Sequence, residues 1–391
     1  MNYTKEQLFS WCDTQSAEQI ILLKTLAAIP APSHQEDRRA AFIANWLKQQ
    51  GAEEVIIDKA KNVILPLSCA GKRDIRICMA HTDVVFPDTT ELPVREESGR
   101  IYAPGVGDDT ANVAALMLCA KFFLSQKILP REPMLIVFNS CEEGLGNLKG
   151  IRQLMADYAG RIREVVSFDC QSNAIVSRAV GSERWRVTVS TRGGHSFSDF
   201  GSPNAIVHLS RLVDQLDRQP IPEKTGCKTT CNVGLISGGT SVNTIAQSGE
   251  ITYEYRSNDA WCLARMAEQF HRLVEKANCP EAAFTTESLG VRPCGGEVPR
   301  EAHQALLSRC KAAIREIYDV EVPLCAASTD ANIPLSLGIP AATFGLYRGG
   351  GAHTREEYVE VDSLLPGLKI ALLFTASSLL EYSILDKPFC A

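Results

Sequence analysis

The chain has 391 residues, enough for two domains or for one large domain with an insertion, at roughly 150 residues per domain. Hydrophobic residues make up 45% of it and charged residues 22%, a composition that excludes disordered, collagenous and fibrous proteins. Lys and Arg number 40 against 46 Asp and Glu, and the net charge of -6 makes nucleic acid and anionic membranes unexpected partners.

The cysteine pattern and the apolar runs bear on the cellular compartment. The 14 cysteines are scattered singly without a Cys-x-x-Cys pair, so we expect free thiols rather than a disulfide framework. The N-terminal segment is polar from its second residue, and the longest apolar runs, such as Val113–Cys119, are far shorter than a membrane span. These features predict a cytoplasmic protein that does not cross a membrane.

The first half of the chain alternates helical and strand patterns. Ser33 to Glu36 has the spacing of a capping box, and the apolar residues that follow predict a helix over 34–50. The later predicted elements are strand 75–80, helix 110–126, strand 134–139, helix 148–158 and strand 165–168. This order is typical of an α/β protein with a largely parallel sheet and helices on both faces.

The pattern changes after about residue 180, where apolar and polar residues alternate. Trp185 to Ser190 and Ile251 to Arg256 predict strands that have one solvated face. Two amphipathic helices are predicted beside them, one beginning at Ser202-Pro203 and the other over 260–277. The strands and helices predicted over 181–290 are those of a separate α+β domain.

The first pattern returns near the C-terminus, where a helix from about 299 to Tyr318 and a strand over 341–344 are predicted. The α+β segment is thus an insertion. We expect one domain formed by 1–180 and 291–391, and a second formed by 181–290.

Histidine and acidic residues follow the three strands predicted in the first half, at the point where each strand ends. They are His81 and Asp83 after the first strand, Glu142 and Glu143 after the second, and Asp169 after the third. Ligands gather at the carboxyl ends of parallel strands, so we expect these side chains to lie close together. Each group alone also has an ordinary interpretation, such as a structural histidine or a surface acidic pair.

Two loops add further candidates. Gly105 to Asp109 is a glycine-rich turn before a helix, in which Asp108 is either a helix cap or a carboxylate that bridges two cations. The turn lacks the further glycine of a dinucleotide-binding motif and the Gly-Lys-Ser/Thr of a P-loop. His353 follows three glycines in the second loop. An imidazole and a carboxylate for each of two cations, with one shared carboxylate, suit zinc.

Six segments taken in order resemble a known family. They are His81-Thr82-Asp83, Gly107-Asp108-Asp109, Glu142-Glu143-Gly144, Asp169, Gly193-Gly194-His195-Ser196 and Ala352-His353-Thr354. Together they resemble the co-catalytic zinc metallopeptidase family of aminoacylase, acetylornithine deacetylase, glutamate carboxypeptidase and peptidase T. The resemblance spans about residues 75–360 and implies a zinc-peptidase-like α/β fold with an inserted lid and dimerisation domain.

The resemblance also implies the metal site. Two zinc ions are expected, with cobalt and manganese as the alternative metals. The implied ligands are Asp108 as the bridge, His81 and Asp169 on one ion, and Glu143 and His353 on the other.

Three further features of the site follow from the same resemblance. Glu142 is implied as the general base that takes the proton of the attacking water, and Asp83 as a catalytic residue beside His81. The peptide between Asp108 and Asp109 is expected to be cis, an isomer that is rare outside proline.

The inserted domain carries the remaining candidates. The resemblance implies a homodimer in which His195 reaches the active site of the partner subunit and binds the substrate carbonyl. Asn243 and Arg256 match family positions that hold the substrate.

The substrate class follows from three C-terminal segments. Ser328–Asn332, Gly338–Pro340 and His353–Tyr358 look closest to the tripeptidase and dipeptidase branch, which favours an exopeptidase acting on small peptides. A deacylase of N-acyl amino acids and a metal-binding relative without turnover are the alternatives. A serine or cysteine nucleophile is not expected, because no Gly-x-Ser-x-Gly motif occurs and Cys141 lies beside two acids.

Overall fold

The computed structural model describes residues 2–380, which form two compact units. Among these residues, unit 1 comprises 2–178 and 296–380, and unit 2 comprises Ala179–Gly295. The boundaries expected from the sequence, after residues 180 and 290, lie near these limits. Within the described residues, none of the helices has both the length and the apolar character that crossing a bilayer requires.

The helices and strands of the described residues are numbered in chain order. The α-helices are α1 (Lys5–Ala28), α2 (Asp37–Gln49), α3 (Asn112–Ser125), α4 (Lys149–Asp157), α5 (Ala205–Asp217), α6 (Ala260–Ala277), α7 (Arg300–Tyr318), α8 (Asn332–Ser336) and α9 (Val361–Thr375). The strands are β1 (Ile56–Ile57), β2 (Val63–Leu67), β3 (Ile75–His81), β4 (Arg95–Glu97), β5 (Arg100–Tyr102), β6 (Met134–Asn139), β7 (Ile162–Ser167), β8 (Ile175–Ala179), β9 (Gly181–Thr191), β10 (Gly194–His195), β11 (Thr229–Gly238), β12 (Thr244–Ile245), β13 (Ser248–Ser257), β14 (Ala282–Arg292), β15 (Leu324–Ala327), β16 (Ala341–Thr343), β17 (Gly349–Gly350) and β18 (Tyr358–Glu360).

The main sheet of unit 1 has the order β1-β2-β6-β3-β7-β16-β8-β15. Its four central strands are parallel: β3 pairs with β6 and with β7, and β7 pairs with β16. The α/β prediction is therefore confirmed. The structure adds antiparallel neighbours on both sides, because β2 runs against β6 and β8 runs against β16.

The central strands are apolar on both faces, which is why they occupy the middle of the sheet. Every residue of β3 is buried. Cys78 and Ala80 on one face belong to the core that includes residues of α1, α2, α3, α7 and α9, while Ile77 and Met79 are buried on the other face. Because successive side chains of a strand point in opposite directions, both faces of the sheet are covered.

The N-terminal region differs from the sequence-based prediction. The capping box lies at Thr4 and Gln7, where it begins α1, a helix that the sequence analysis did not identify. Helix α2 begins at Asp37 without a side-chain cap. The capping box assigned to Ser33 is wrong because α2 begins after Glu36, three residues later, and the Ser33 hydroxyl donates a hydrogen bond of 2.6 Å to Asp83.

Unit 2 has a four-stranded antiparallel sheet with the order β11-β13-β9-β14. Along β13, buried and half-buried residues alternate, and the buried Tyr253 packs on Phe270 of α6. The predicted strands with one solvated face are confirmed. Helix α5 begins after Asn204, whose side chain accepts from two backbone N–H groups, rather than at Ser202-Pro203.

Candidate metal centre

The sheet order brings the candidate residues of unit 1 to one edge. Strand β3 lies between β6 and β7, so the three carboxyl ends are neighbours. His81 is the last residue of β3, and Glu142 and Asp169 follow the ends of β6 and β7. These strands are parallel and buried, which fixes the starting point of each loop.

Two histidines define two groups of ligand atoms. Nε2 of His81 lies 3.1 Å from Oδ1 of Asp108 and 4.0 Å from Oδ1 of Asp169. Nε2 of His353 lies 3.1 Å from Oδ2 of Asp108 and 3.2 Å from Oε1 of Glu143. The Asp108 carboxylate therefore offers one oxygen to each group, and the structure brings all five expected ligands together.

The charges of the two groups suit divalent cations. Burial opposes the charged form of Asp108, but hydrogen bonds from His353 and His81 outweigh it and lower the pKa of this carboxyl. Burial and the charge of Asp108 raise the pKa of Asp169. A buried cluster with more carboxylates than imidazoles is unfavourable unless cations neutralise it. Nitrogen and carboxylate donors in two sets of three fit a pair of such ions.

Asp83 connects the two sides of the cluster. Its Oδ1 accepts a hydrogen bond of 3.0 Å from the N–H of Glu142, and its Oδ2 accepts one of 3.0 Å from the N–H of Glu143. The main-chain oxygen of Asp83 lies 3.1 Å from Nδ1 of His81. With the proton of a neutral ring on Nδ1, the unprotonated Nε2 faces Asp108, as metal ligation requires.

Glu142 lies within the same cluster. Its carboxylate forms a compact group with His81 and Glu143, with ligand atoms within 4.8 Å of one another. Only 6% of Glu142 is exposed. The geometry thus puts a buried carboxylate beside the two ligand groups without assigning it to either.

The turn that carries Asp108 is irregular. The peptide between Asp108 and Asp109 is cis, as the resemblance implied. Asp109 accepts hydrogen bonds of 2.8 Å from the N–H of His81 and 2.5 Å from the side chain of Asn112. Helix α3 begins at Asn112 without a side-chain cap, so the alternative interpretation of Asp108 as its cap is wrong.

Residues 77–376 match the family model described as Peptidase family M20/M25/M40. The chain belongs to this family. It is therefore a metal-dependent hydrolase, as the resemblance implied.

The chain is similar in sequence or fold to the following proteins over most of its length. The acetylornithine deacetylase of Myxococcus xanthus is 24% identical over 348 residues, which cover 86% of this chain and 89% of that protein. A tripeptidase from Staphylococcus aureus superposes with a TM-score of 0.71 at 18% identity, over 93% of this chain and 98% of the other. The YXEP protein of Bacillus subtilis, a dinuclear metal binding peptidase of the M20 family, gives a TM-score of 0.64 at 14% identity, over 93% and 98%.

Two buried acidic residues, Asp330 and Glu357, were not identified from the sequence as candidate site residues. Asp330 accepts a hydrogen bond of 2.6 Å from Asn139, and burial raises its pKa to about 7. Glu357 accepts from three backbone N–H groups of the turn before α3. Both residues lie in segments that resemble the tripeptidase and dipeptidase branch. No spacing rule links Asp330 to Asn139, 191 residues away, or Glu357 to the turn of Asp108, 249 residues away.

The candidate substrate residues of unit 2 separate into two places. His195 is exposed, and its strand β10 pairs with β12, whose first residue follows Asn243. The carbonyl of Asn243 accepts from the N–H of Ser196. Strand β13 begins at Ser248, three residues after the end of β12, so this end of β13 is the one near His195. Arg256 lies near the other end, about 25 Å along the strand from Ser248, and therefore does not share a site with His195 within unit 2.

Proposed function

We propose that this M20 hydrolase cleaves the amide bond of small peptides as a di- or tripeptidase-like exopeptidase. His81 and Asp169 would hold one zinc ion, His353 and Glu143 would hold the other, and Asp108 would offer one carboxylate oxygen to each. The observation that carries the proposal is that each oxygen of Asp108 lies 3.1 Å from the Nε2 atom of a different histidine. Cobalt and manganese are alternatives because the donor set suits all three metals.

The chain's own residues then perform the proton transfers. When bound, the ions act as Lewis acids that polarise the scissile carbonyl and increase the acidity of water. Glu142 accepts the proton of the attacking water and passes it to the leaving amine nitrogen. Asp83 holds the backbone N–H of Glu142 and the ring of His81, and so orients base and ligand together.

His195 is proposed to bind the carbonyl oxygen of the substrate. Its Nδ1 accepts hydrogen bonds of 3.3 Å from the N–H groups of Phe197 and Ser198. A neutral ring in that arrangement carries its proton on Nε2, which makes Nε2 a donor. A donor aimed at a developing oxyanion is worth about 3–4 kcal/mol.

We propose that His195 acts in the active site of a partner subunit. Four apolar side chains of unit 2 are exposed on two elements, Leu235 and Ile236 on β11, and Ile206 and Val207 on α5. Strand β11 is at the edge of its sheet, and Ile206 lies against the end of this strand. An unpaired edge beside apolar side chains favours pairing with a second copy, which supports a homodimer.

The two other candidates have different support. Asn243 lies beside Ser196, so it would accompany His195 at the substrate. Arg256 donates hydrogen bonds of 2.7 and 2.8 Å to Glu254. We propose that Arg256 holds a carboxylate of the substrate, for which it must share its guanidinium with Glu254.

We also propose a cytoplasmic location. All 13 cysteines among the described residues are free thiols. A chain with this many unpaired cysteines fits a reducing compartment.

The alternative function is the deacylation of N-acyl amino acids, favoured by the relationship to acetylornithine deacetylase. A panel of dipeptides, tripeptides, N-acetyl and N-succinyl amino acids separates the two. We expect kcat/KM to be at least tenfold higher for the peptides, with Glu142→Gln protein prepared in parallel to exclude a contaminating peptidase. The opposite preference would establish the deacylase.

A further inference from the structure

Glu357 holds the turn that carries Asp108. Its Oε1 accepts hydrogen bonds of 2.8 Å from the N–H of Gly107 and 2.7 Å from the N–H of Asp108. Its Oε2 accepts one of 3.1 Å from the N–H of Gly105. Only 2% of Glu357 is exposed. One buried carboxylate thus accepts from three converging backbone donors. Successive backbone N–H groups of a turn can bind an anion in this way, and the bound anion then fixes the conformation of the turn.

The same carboxylate belongs to the loop that carries His353. The N–H and the hydroxyl of Thr354 both donate to the carbonyl of Gly351, and the N–H of Glu357 donates to the carbonyl of Thr354. These bonds close the loop between His353 and Glu357. The distance between His353 and the Asp108 turn is therefore set within one short, internally bonded segment.

We propose that Glu357 is a positioning residue that clamps the Asp108 turn to the His353 loop and so forms the cation site of His353 and Glu143. The inference rests on the proposed two-metal function and deepens it. The other group shares Asp108, but its two remaining ligands do not depend on the clamp, because His81 ends strand β3 and Asp169 follows strand β7.

The role requires a carboxylate. Three N–H groups need acceptors, and an amide in place of the acid turns one acceptor atom into a donor that faces an N–H. Glu357→Gln therefore keeps the size of the side chain and disrupts the clamp. Glu356→Gln is a matched control, because Glu356 is adjacent, has 77% of its side chain exposed and pairs with Arg95 at the surface.

The test is a titration of the metal-depleted full chain with Co²⁺, followed by its d–d absorption. Wild type and Glu356→Gln are expected to bind two equivalents with the same spectrum. Glu357→Gln should bind the first equivalent and show a 10- to 100-fold weaker second one with altered bands, the usual cost of losing an outer partner of a ligand. If Glu357→Gln binds two equivalents of Co²⁺ with the affinity and the spectrum of wild type, the proposed clamp is wrong and the proposed two-metal site stands.

A wild type that binds fewer than two equivalents would instead contradict the proposed function. A second measurement does not depend on the variant folding. In metal-depleted wild type, hydrogen exchange should be slow for the N–H groups of Gly105, Gly107 and Asp108, because Glu357 accepts all three. Exchange at the rate of an open loop would overturn the inference.

Discussion

Nε2 of His353 lies 3.1 Å from Oδ2 of Asp108, although 245 residues separate them in the chain. The turn of Asp108 precedes α3, and the loop of His353 lies between β17 and β18. The second oxygen of the same carboxylate lies 3.1 Å from Nε2 of His81 at the end of β3. One side chain therefore links three separate parts of unit 1.

Replacing Glu142 by Gln should leave metal binding intact and abolish most turnover. The amide keeps the shape of the side chain but no longer accepts a proton, and such a loss lowers kcat by about 10²- to 10⁴-fold. Steady-state kinetics and the metal content of the same preparation test this. If the activity of Glu142→Gln lies within about threefold of wild type, Glu142 is not the general base.

Metal binding should release protons at pH 8. Hydrogen bonds with Asp108 and Glu143 raise the pKa of His353 to about 10 in the metal-free protein, and ligation requires the neutral ring. Metal affinity should therefore rise with pH between 7 and 10. Calorimetry of metal binding in two buffers of different ionisation enthalpy should show that wild type releases at least one proton. The His353→Ala protein should release one proton fewer than wild type. Equal release by both proteins would contradict the role of His353.

The same shift in the pKa of His353 affects stability without metal. Since the folded pKa lies above the ordinary value of 6.5, this group stabilises the folded chain fully below pH 6.5, and the stabilisation disappears as the pH rises through about 10. The Tm of metal-depleted wild type should fall over this interval more than that of His353→Ala. The difference is expected to be small, because 55% of the His353 side chain is exposed.

If the chain forms the proposed homodimer, the exposed edge of unit 2 should hold it together. A charge at Leu235 or Ile236 would face the apolar side chains of the second copy, so Leu235→Asp and Ile236→Asp should produce monomers in analytical ultracentrifugation. Leu129→Asp, at an exposed apolar position of unit 1, serves as the control and should remain dimeric. If both β11 variants dimerise with the same dissociation constant as wild type, this edge is not the dimer interface.

Subunit mixing tests whether His195 acts across the interface. Inactive His195→Ala and Glu142→Gln subunits, combined and allowed to exchange, should form heterodimers in which one of the two sites has both groups intact. Up to about half of the activity of a wild-type dimer should return for each heterodimer. Heterodimers that form without regaining activity would show that His195 does not serve the partner's site.

The sequence predicted best what depends on local pattern. The apolar run before His81 marked a buried strand, and the position of this residue at the strand end followed from that run. Ser33 shows the limit of such reasoning. Its spacing to Glu36 matches a capping box, but the hydroxyl contacts Asp83, 50 residues away. The contact with Asp83 depends on the fold, and the local sequence pattern does not report it.

Two residues with distant hydrogen-bond partners could not be identified from the sequence. Glu357 and Asp330 are ordinary acidic residues in their own segments. Their roles arise from burial against Asp108 and Asn139, which the fold brings to them. The separation of Arg256 from His195 follows from the full length of β13, of which the sequence predicted only Ile251 to Arg256, and from the pairing of β10 with β12.

The metal content of purified wild type and Asp108→Ala protein tests the two-metal site most directly. Mass spectrometry of the metals should give two ions per chain for wild type and for Glu142→Gln, which alters no ligand. Asp108→Ala should lose both ions, because each group loses the shared carboxylate. An Asp108→Ala protein that keeps its full complement of two ions would contradict the bridging role of Asp108.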